Sequence, residues 1–148
     1  MVVYRIAREK YHKDISGTGS RIHGGRWNYK GISVLYTSES RALSTLEYLV
    51  HVDHDLIPPD LKLLSIEIPM TNDEVLSVSA KKLPKNWMVA PPPEILKRIG
   101  QESLFDQNRL AVKIPSVIIP DEFNLIINPQ HKDFKSVRII KIQSYKLI

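Results

Sequence analysis

An acidic residue within the apolar stripe of a predicted helix is the first candidate for chemistry. Glu47 follows Leu43 by four residues and precedes Val50 by three, so a helix would turn it toward the same inward face. A buried carboxylate is costly unless it is paired or hydrogen-bonded. Spacing alone leaves two interpretations open: an ion pair with a core arginine, or a carboxylate at the floor of a cleft, where burial tunes its acidity.

A glycine-rich segment, residues 23–28 with the sequence HGGRWN, is the second candidate. Its two adjacent glycines allow close backbone approach and unusual dihedral angles. Arg26, directly after them, offers a planar fork of donors that suits a pyrophosphate or a carboxylate. Trp27 could stack on a ligand or simply anchor the loop. The segment therefore indicates either an anion-binding loop or a tight turn.

A serine and an asparagine near predicted strands carry weaker expectations. Ser116 follows Pro115, and a lone serine in a strand-rich region usually forms a hydrogen bond within the core. It lies in no Gly-x-Ser-x-Gly elbow, and no Ser-His-Asp arrangement is indicated. Asn128, before Pro129 and close to His131, is typical of a turn after a strand, so a structural role is expected there.

The sequence offers little for a metal or a resident cofactor. His51 and His54 are three residues apart beside Asp53 and Asp55, but they fall where a helix is expected to fray before Pro58. There is no His-Glu-x-x-His, Walker or dinucleotide-binding glycine motif, and no cysteine. We therefore expect no metal site.

The elements that must position these residues follow from hydrophobic periodicity. A helix capped by Ser38 or Ser40 is predicted to run to about Val52. Before it, residues 14–31 are predicted to form a long loop, and long ordered loops are often functional. The apolar stripe predicted to face the core consists of Leu43, Leu46, Leu49 and Val50.

Few helices and many short strands predict an α+β fold rather than an alternating parallel one. A second helix is expected over residues 94–99, begun by Pro93 and ended by Gly100. The predicted strands cover residues 2–6, 33–36, 61–68, 110–114, 116–119, 124–127 and 137–142.

Length and composition bound the function. With 148 residues, 43% of them hydrophobic and 25% charged, the chain has room for a single globular domain, taken as residues 1–148. It has no run of roughly 18 apolar residues, and its first residues lack a signal-peptide pattern, so we expect a cytoplasmic protein without a membrane span. The net charge of +5 permits a nucleic-acid partner without requiring one, and no direct nucleic-acid binding is expected.

The basic residues are densest toward the C-terminus. Between Val137 and Ile142 they alternate with apolar residues, which predicts a sheet-edge strand protected by charge. A site for an anionic small ligand or an acidic partner is the alternative. The residues concerned are Lys132, Lys135, Arg138, Lys141 and Lys146.

Taken together and in order, these motifs resemble those of the RES-domain family, the toxins of bacterial toxin–antitoxin pairs. Each block is weak alone, but the ordered set spans nearly the whole chain. The family takes its name from Arg, Glu and Ser, which fall here on Arg26, Glu47 and Ser116. The matching blocks are Tyr4-Arg5, Gly17-Thr18-Gly19, Gly24-Gly25-Arg26-Trp27-Asn28, Tyr36-Thr37-Ser38, Leu46-Glu47-Tyr48-Leu49-Val50-His51, Ile114-Pro115-Ser116, and Asn124 with Asn128-Pro129-Gln130-His131.

The resemblance implies a fold similar to that of ADP-ribosyltransferases, in which a split, strongly bent mixed sheet with a few helices surrounds an NAD-binding cleft. It implies an enzyme that depletes NAD by cleaving the nicotinamide–ribose bond, through hydrolysis or phosphorolysis. NAD is then a substrate, and no cofactor is needed. It also implies a cognate antitoxin with a helix-turn-helix DNA-binding region, which neutralises the toxin by inserting a segment into the cleft.

The same resemblance implies roles for individual residues. Glu47 would stabilise the positive charge that builds on the ribose, Arg26 would clamp the pyrophosphate or ribose, and Ser116 would contact the nicotinamide side or position Glu47. These three are the expected catalytic residues. Tyr36 would pack against the nicotinamide or the ribose rim. The residues expected to bind NAD are Arg26, Trp27, Asn28, Tyr36, Ser38 and Ser116.

Three other functions stay open on the sequence. A protein ADP-ribosyltransferase would use the same Arg26, Tyr36 and Glu47 but transfer ADP-ribose to a protein. An RNA-binding or RNA-cleaving domain fits the basic balance, although Glu47 on an apolar face has no role in binding a phosphate backbone. An inert interaction module is the third.

Overall fold

The structure, a computed structural model, describes residues 1–147, and within this range seven strands and three α-helices confirm the expected α+β class. The strands are β1 (Val2–Arg8), β2 (Leu35–Ser38), β3 (Leu61–Glu67), β4 (Leu76–Ser77), β5 (Ala111–Pro115), β6 (Phe123–Ile127) and β7 (Arg138–Ser144). The helices are α1 (Thr18–His23), α2 (Arg41–Leu49) and α3 (Ile95–Gly100), which continues as a π-helical segment over Gln101–Phe105. Short 3₁₀ turns cover Glu9–Tyr11, His54–Leu56, Asn72–Glu74, Ala80–Lys82 and Lys132–Ser136.

The strands form one mixed sheet in the order β4-β5-β6-β2-β1-β3-β7. β4 and β5 run parallel, and the other neighbouring strands run antiparallel. β1 pairs with β3 along its whole length, but it pairs with β2 only at Tyr4 opposite Ser38. The sheet is therefore split into two halves, β4-β5-β6-β2 and β1-β3-β7, which share a single rung. β7 is an edge strand, as its alternating basic residues predict.

Alternation along β5 and β6 divides the apolar residues between two cores. Val112, Ile114 and Ile126 face a core that contains both tryptophans, together with Leu96 and Leu104 of the α3 segment. Ala111, Leu125 and Ile127 face the other core, with residues of β2 and β3. The helical segment after the proline-rich loop thus covers one face of the β4-β5-β6-β2 half.

The predicted loop over residues 14–31 is wrong in part, because it contains α1. This helix has no buried residue and hence no apolar stripe for periodicity to detect. It is held instead by Ser20, whose hydroxyl donates to the carbonyl of Val34 at 2.5 Å and accepts from the Val34 N–H at 3.0 Å. A tertiary contact across 14 residues of sequence therefore fixes a helix that local signals do not show.

Gly100 is the last α-helical residue of α3, but it does not stop the helical chain as predicted. The chain continues directly into the π-helical segment. A Cβ at this position would lie 1.9 Å from the carbonyl oxygen of Trp27, so glycine is required for close packing between the helix and the glycine-rich loop.

Residues 116–119 form no strand, so that prediction is wrong as well. The hydroxyl oxygen of Ser116 accepts hydrogen bonds from the backbone N–H groups of Ile118 and Ile119, both at 3.1 Å. These bonds fold the chain into a turn directly after β5.

The helix α2 begins as predicted, with Ser40 as the cap that accepts from the Leu43 N–H, but it ends at Leu49. Its packing face is rotated from the predicted one. Leu43 is fully buried, whereas Leu46 is 36% and Val50 57% exposed. The helix lies against β1 and β2 through the side that carries Leu43, Ser44 and Glu47. Within residues 1–147, no helix has the length and apolar character needed to cross a membrane.

Candidate active site

A cavity of about 1060 Å³ opens where β1 and β2 diverge. Its wall is formed by β1, the segment from α1 through the glycine-rich loop, β2, α2, the end of β5 and the proline-rich loop after Trp87. Its charged lining residues include Arg5, Asp14, Arg26, Glu47 and Lys97, and Tyr36 and Asn124 of the sheet line it as well.

Glu47 is held by two hydrogen bonds that end on the same carboxylate oxygen. Oε1 accepts from the Ser116 hydroxyl at 2.8 Å and from the Asn124 side-chain amide at 2.6 Å. Within the described residues Glu47 has no basic partner within 4.0 Å, so it is not a core ion pair. Oε2 accepts no hydrogen bond from these residues. The arrangement is a preorganised carboxylate with one oxygen fixed and the other available to a ligand.

Ser116 is fully buried and lies behind Glu47. Because its oxygen already accepts from the Ile118 and Ile119 N–H groups, its own proton is directed to the carboxylate. A hydroxyl with both lone pairs occupied and no exposure is a poor nucleophile. The geometry therefore suits a residue that positions Glu47.

The guanidinium group of Arg26 is held by backbone carbonyl groups rather than by a carboxylate. Its Nη1 donates to the carbonyls of Trp87 at 2.8 Å and Val89 at 3.1 Å. Burial lowers the pKa of Arg26, and the charge of Glu47 opposes this shift. No carboxylate lies within 4.0 Å of it in the described part of the chain, so a guanidinium charge in the cavity has no acidic partner there.

Arg5 is a residue of the cavity wall that the sequence reasoning did not select as a site. Its Nη1 donates to the Tyr36 carbonyl at 2.9 Å and so spans the gap between the diverging β1 and β2. Burial lowers the pKa of Arg5, opposed by the charge of Asp14. The available signal was an arginine between the strand residues Val3 and Ala7, where an apolar side chain is expected.

Tyr36 connects the sheet to the glycine-rich loop. Its hydroxyl donates to Asn28 Oδ1 at 2.6 Å and accepts from the Trp27 N–H at 3.1 Å. A Cβ on Gly25 would lie 2.7 Å from both Asn28 Oδ1 and the Tyr36 hydroxyl, so glycine makes room for this bond. Burial raises the pKa of Tyr36 far above its ordinary value, so the hydroxyl remains a hydrogen-bond donor even in alkaline solution.

The remaining predicted NAD-binding residues lie behind the wall or within it. Asn28 is buried and donates to the carbonyls of Ser20 and Ile32, both at 2.9 Å, which closes the loop. Ser38 is buried and donates to Asn124 Oδ1 at 2.7 Å. Trp27 is 3% exposed and packs with the tryptophan-containing core, so it anchors the loop. Asn28, Ser38 and Ser116 each hydrogen-bond a wall residue: Tyr36, Asn124 and Glu47, respectively.

The other singled-out polar residues have local structural partners. Asn128 Oδ1 accepts from the Gln130 N–H at 2.9 Å, and His131 Nδ1 accepts from the Asp133 N–H at 3.0 Å, so both shape the turn after β6. Among residues 1–147, no group of three or more His, Cys, Asp or Glu side chains is placed to hold a metal ion. His51 lines the cavity, and His54 lies in a separate 3₁₀ turn.

A split α+β sheet with an Arg, a Glu and a Ser gathered at its cleft defines a recognisable class of domain. The family model of the RES domain matches residues 2–148, and this chain belongs to that family. It is 38% identical over 143 residues to "Toxin Res" of Photorhabdus laumondii, covering 95% of this chain and 90% of that protein. It is 36% identical over 143 residues to the "Prs ADP-ribosylating toxin" of Sphingobium sp. strain YBL2, covering 94% and 87%.

A solved structure supports the fold independently. A chain in the crystal structure of the M. tuberculosis MbcT–MbcA toxin–antitoxin complex superposes with a TM-score of 0.77, covering 98% of this chain and 84% of that one. The two are 16% identical, so this likeness concerns the fold.

Proposed function

We propose that this chain is the toxin of a toxin–antitoxin pair and that it cleaves the nicotinamide–ribose bond of NAD. The observation that carries the proposal is Glu47, fixed through Oε1 and without a hydrogen bond at Oε2 from the described residues, in a cavity that also holds two arginines with no described carboxylate within 4.0 Å. The names of the related toxins agree with it.

The carboxylate suits the charge that the reaction creates. When the bond between the ribose C1′ and the pyridinium nitrogen breaks, the electron pair returns to nitrogen, and positive charge develops on the ribose, as in glycoside cleavage. Glu47 would stabilise this charge and hold a ribose hydroxyl through Oε2. Neutral nicotinamide leaves without a proton, so no general acid is required.

The arginines suit the phosphates. A pyrophosphate brings two negative charges, and guanidinium groups bind such oxygens with charge-assisted hydrogen bonds. Arg26 projects from the glycine-rich loop and Arg5 from the opposite half of the sheet, so together they would hold the pyrophosphate across the cleft. The ring of Tyr36, between them and Glu47, would pack against the nicotinamide ribose. NAD enters this scheme as a substrate, and no cofactor is involved.

The acceptor of the ribosyl group distinguishes two versions of the proposal. Water or phosphate gives an NAD glycohydrolase or phosphorylase, which depletes NAD. A protein side chain gives an ADP-ribosyltransferase, and the name of the Sphingobium relative favours this second version. Both versions use the same Glu47 and arginines.

A toxin of this kind requires a neutralising partner. The fold neighbour comes from a toxin–antitoxin complex, and we propose a cognate antitoxin here, with a helix-turn-helix region and a segment that occupies the cleft. An acidic segment would complement Arg5 and Arg26.

The test is the fate of NAD with purified protein, followed by mass spectrometry with and without phosphate and with cell extract as a source of protein acceptors. Free ADP-ribose identifies hydrolysis, phosphorylated ADP-ribose identifies phosphorolysis, and a labelled protein identifies transfer. NAD that stays intact under all conditions, while the protein is folded and free of antitoxin, would refute the proposal. Salt-dependent RNA binding would then be tested, because phosphate contacts lose affinity steeply with salt.

A further inference from the structure

Three neighbouring strands each place one polar side chain beneath Glu47. Ser38 ends β2, Asn124 lies opposite it on β6, and Ser116 follows β5. Glu47 Oε1 accepts one hydrogen bond from Ser116 and a second from Asn124, and the second, at 2.6 Å, is the shorter of the two.

The donor and the acceptor of each hydrogen bond among Ser38, Asn124, Ser116 and Glu47 follow from the chemistry of the groups. An ionised carboxylate can only accept, so the side-chain nitrogen of Asn124 must face Glu47. Its oxygen then faces Ser38, whose hydroxyl donates to it at 2.7 Å. Ser38 therefore holds the Asn124 amide in the orientation that Glu47 sets, although it does not line the main cavity.

We propose that Asn124 is a positioning residue for Glu47 and that Ser38 restrains the Asn124 amide through its oxygen, so that the pair holds Oε1 and leaves Oε2 to the substrate. This inference rests on the proposed function, because it assigns a task to that same site. It reassigns Ser38 from a substrate contact to a residue that acts through its neighbour. Asn124 becomes a site residue that spacing alone did not single out.

The amide has a property that a packing residue would not need. It donates to the charged oxygen, and an aspartate of nearly equal volume at this position would instead present a second acceptor to it. A role in packing predicts that Asn124→Asp is milder than Asn124→Ala. A role in positioning predicts the reverse, because the aspartate removes the donor and repels the carboxylate.

Steady-state release of nicotinamide from NAD tests this order. For Asn124→Ala we expect kcat to fall roughly tenfold, and for Asn124→Asp roughly 100-fold, as charge-assisted hydrogen bonds at a reacting centre imply. Ser38→Ala should lower kcat about threefold, since it frees the amide without removing it. KM should change less than about threefold throughout, because these residues lie beneath the site rather than against NAD.

Thr37→Val is the matched control for Ser38→Ala. Thr37 is buried on the same strand, and its hydroxyl donates to the Leu125 carbonyl at 3.1 Å instead of to Asn124 or Glu47. We expect its kcat to stay within about twofold of the wild type. An Asn124→Asp variant as active as Asn124→Ala, or a Thr37→Val variant as impaired as Ser38→Ala, would overturn the inference.

A second readout does not depend on turnover or on the folding of Asn124→Asp. In a ¹⁵N–¹H spectrum of the wild-type protein, the Asn124 side-chain amide should be shifted downfield by its carboxylate partner. It should move in Glu47→Gln and in Ser38→Ala but not in Thr37→Val. An amide signal unchanged by the first two substitutions refutes the positioning role. If the wild type releases no nicotinamide, the proposed function fails, and this spectrum still decides the inference.

Discussion

The two halves of the split sheet use their polar residues differently. In the β4-β5-β6-β2 half, Asn124 and Ser116 donate to the Glu47 carboxylate and Ser38 donates to Asn124. Tyr36 of the same half hydrogen-bonds the glycine-rich loop. In the β1-β3-β7 half, charged residues pair at the surface, as Arg138 does with Glu67 at 3.0 Å. Arg5 is the exception, since it reaches from β1 across the gap to Tyr36.

This difference separates the tasks of scaffold and site. An exposed ion pair contributes little to stability, because water screens it and holding two long side chains costs entropy. Hydrogen bonds to a partly buried carboxylate are stronger and hold it in one geometry. The β4-β5-β6-β2 half therefore fixes Glu47. The β1-β3-β7 half provides the edge strand β7 and one arginine, Arg5, that bridges to the other half.

The largest expected effect is at Glu47. Glu47→Gln keeps the size of the side chain but removes the charge, and we expect NAD turnover to fall on the order of 10³-fold with normal folding. Glu67→Gln, in the other half, is the matched control and should retain wild-type turnover. The rate of nicotinamide release measures the turnover of both variants. Equal rates would contradict the assignment of the catalytic carboxylate to Glu47.

A substitution in α3 should disturb the glycine-rich loop that α3 packs against. Gly100→Ala places a methyl group 1.9 Å from the Trp27 carbonyl oxygen, so the glycine-rich loop or α3 must move. We expect the free energy of unfolding to fall by about 3 kcal/mol, at the upper end for overpacking. In Gly19→Ala the new methyl group has no neighbour within 4 Å, so its stability should be unchanged or slightly higher. Urea denaturation of the two proteins compares them, and equal midpoints would contradict the contact.

A substitution of Arg26 tests the glycine-rich loop, which Tyr36 connects to the β4-β5-β6-β2 half. Arg26→Ala removes a guanidinium held by the Trp87 and Val89 carbonyls and should lower kcat/KM for NAD roughly 30-fold, the value of a lost charge-assisted contact. Arg21→Ala, an exposed arginine of α1, serves as control. Unchanged NAD affinity in Arg26→Ala would remove it from the phosphate site.

A substitution of Arg5 tests whether the β1-β3-β7 half takes part in binding NAD. Arg5→Ala should raise KM for NAD roughly tenfold and leave kcat within about twofold, because in the proposed complex Arg5 would contact the phosphates rather than the reacting bond. Arg8→Ala on the same strand breaks an exposed pair with Asp60 and should change neither constant. If Arg5→Ala behaves like Arg8→Ala, the site belongs to one half only.

The sequence was informative where signals are local and uninformative where partners are distant. The Ser40 cap, the inward turn of Glu47 and the edge position of β7 follow from spacing within a few residues. A glycine after a helical pattern predicts a helix end, but Gly100 is required by a contact with Trp27, which is distant in sequence and leaves no local signal. Leu46 and Val50 were placed in the core because periodicity gives the helix an apolar side without fixing its rotation on the sheet.

The candidate site divides in the same way. Arg26, Glu47 and Ser116 were selected through a family pattern, but the pattern does not say which residue touches which. Asn124 gained its role from the strand register that sets it opposite Ser38. Arg5 gained its role from the divergence of β1 and β2, which no local pattern encodes.

The most direct test of the central claim is a crystal structure of the Glu47→Gln variant with intact NAD. We expect the nicotinamide ribose against the side chain at position 47, on the oxygen or nitrogen that is not held by Ser116 and Asn124. We expect the pyrophosphate between Arg5 and Arg26, one from each half of the sheet. NAD bound outside this cleft, or with its ribose turned away from position 47, would contradict it.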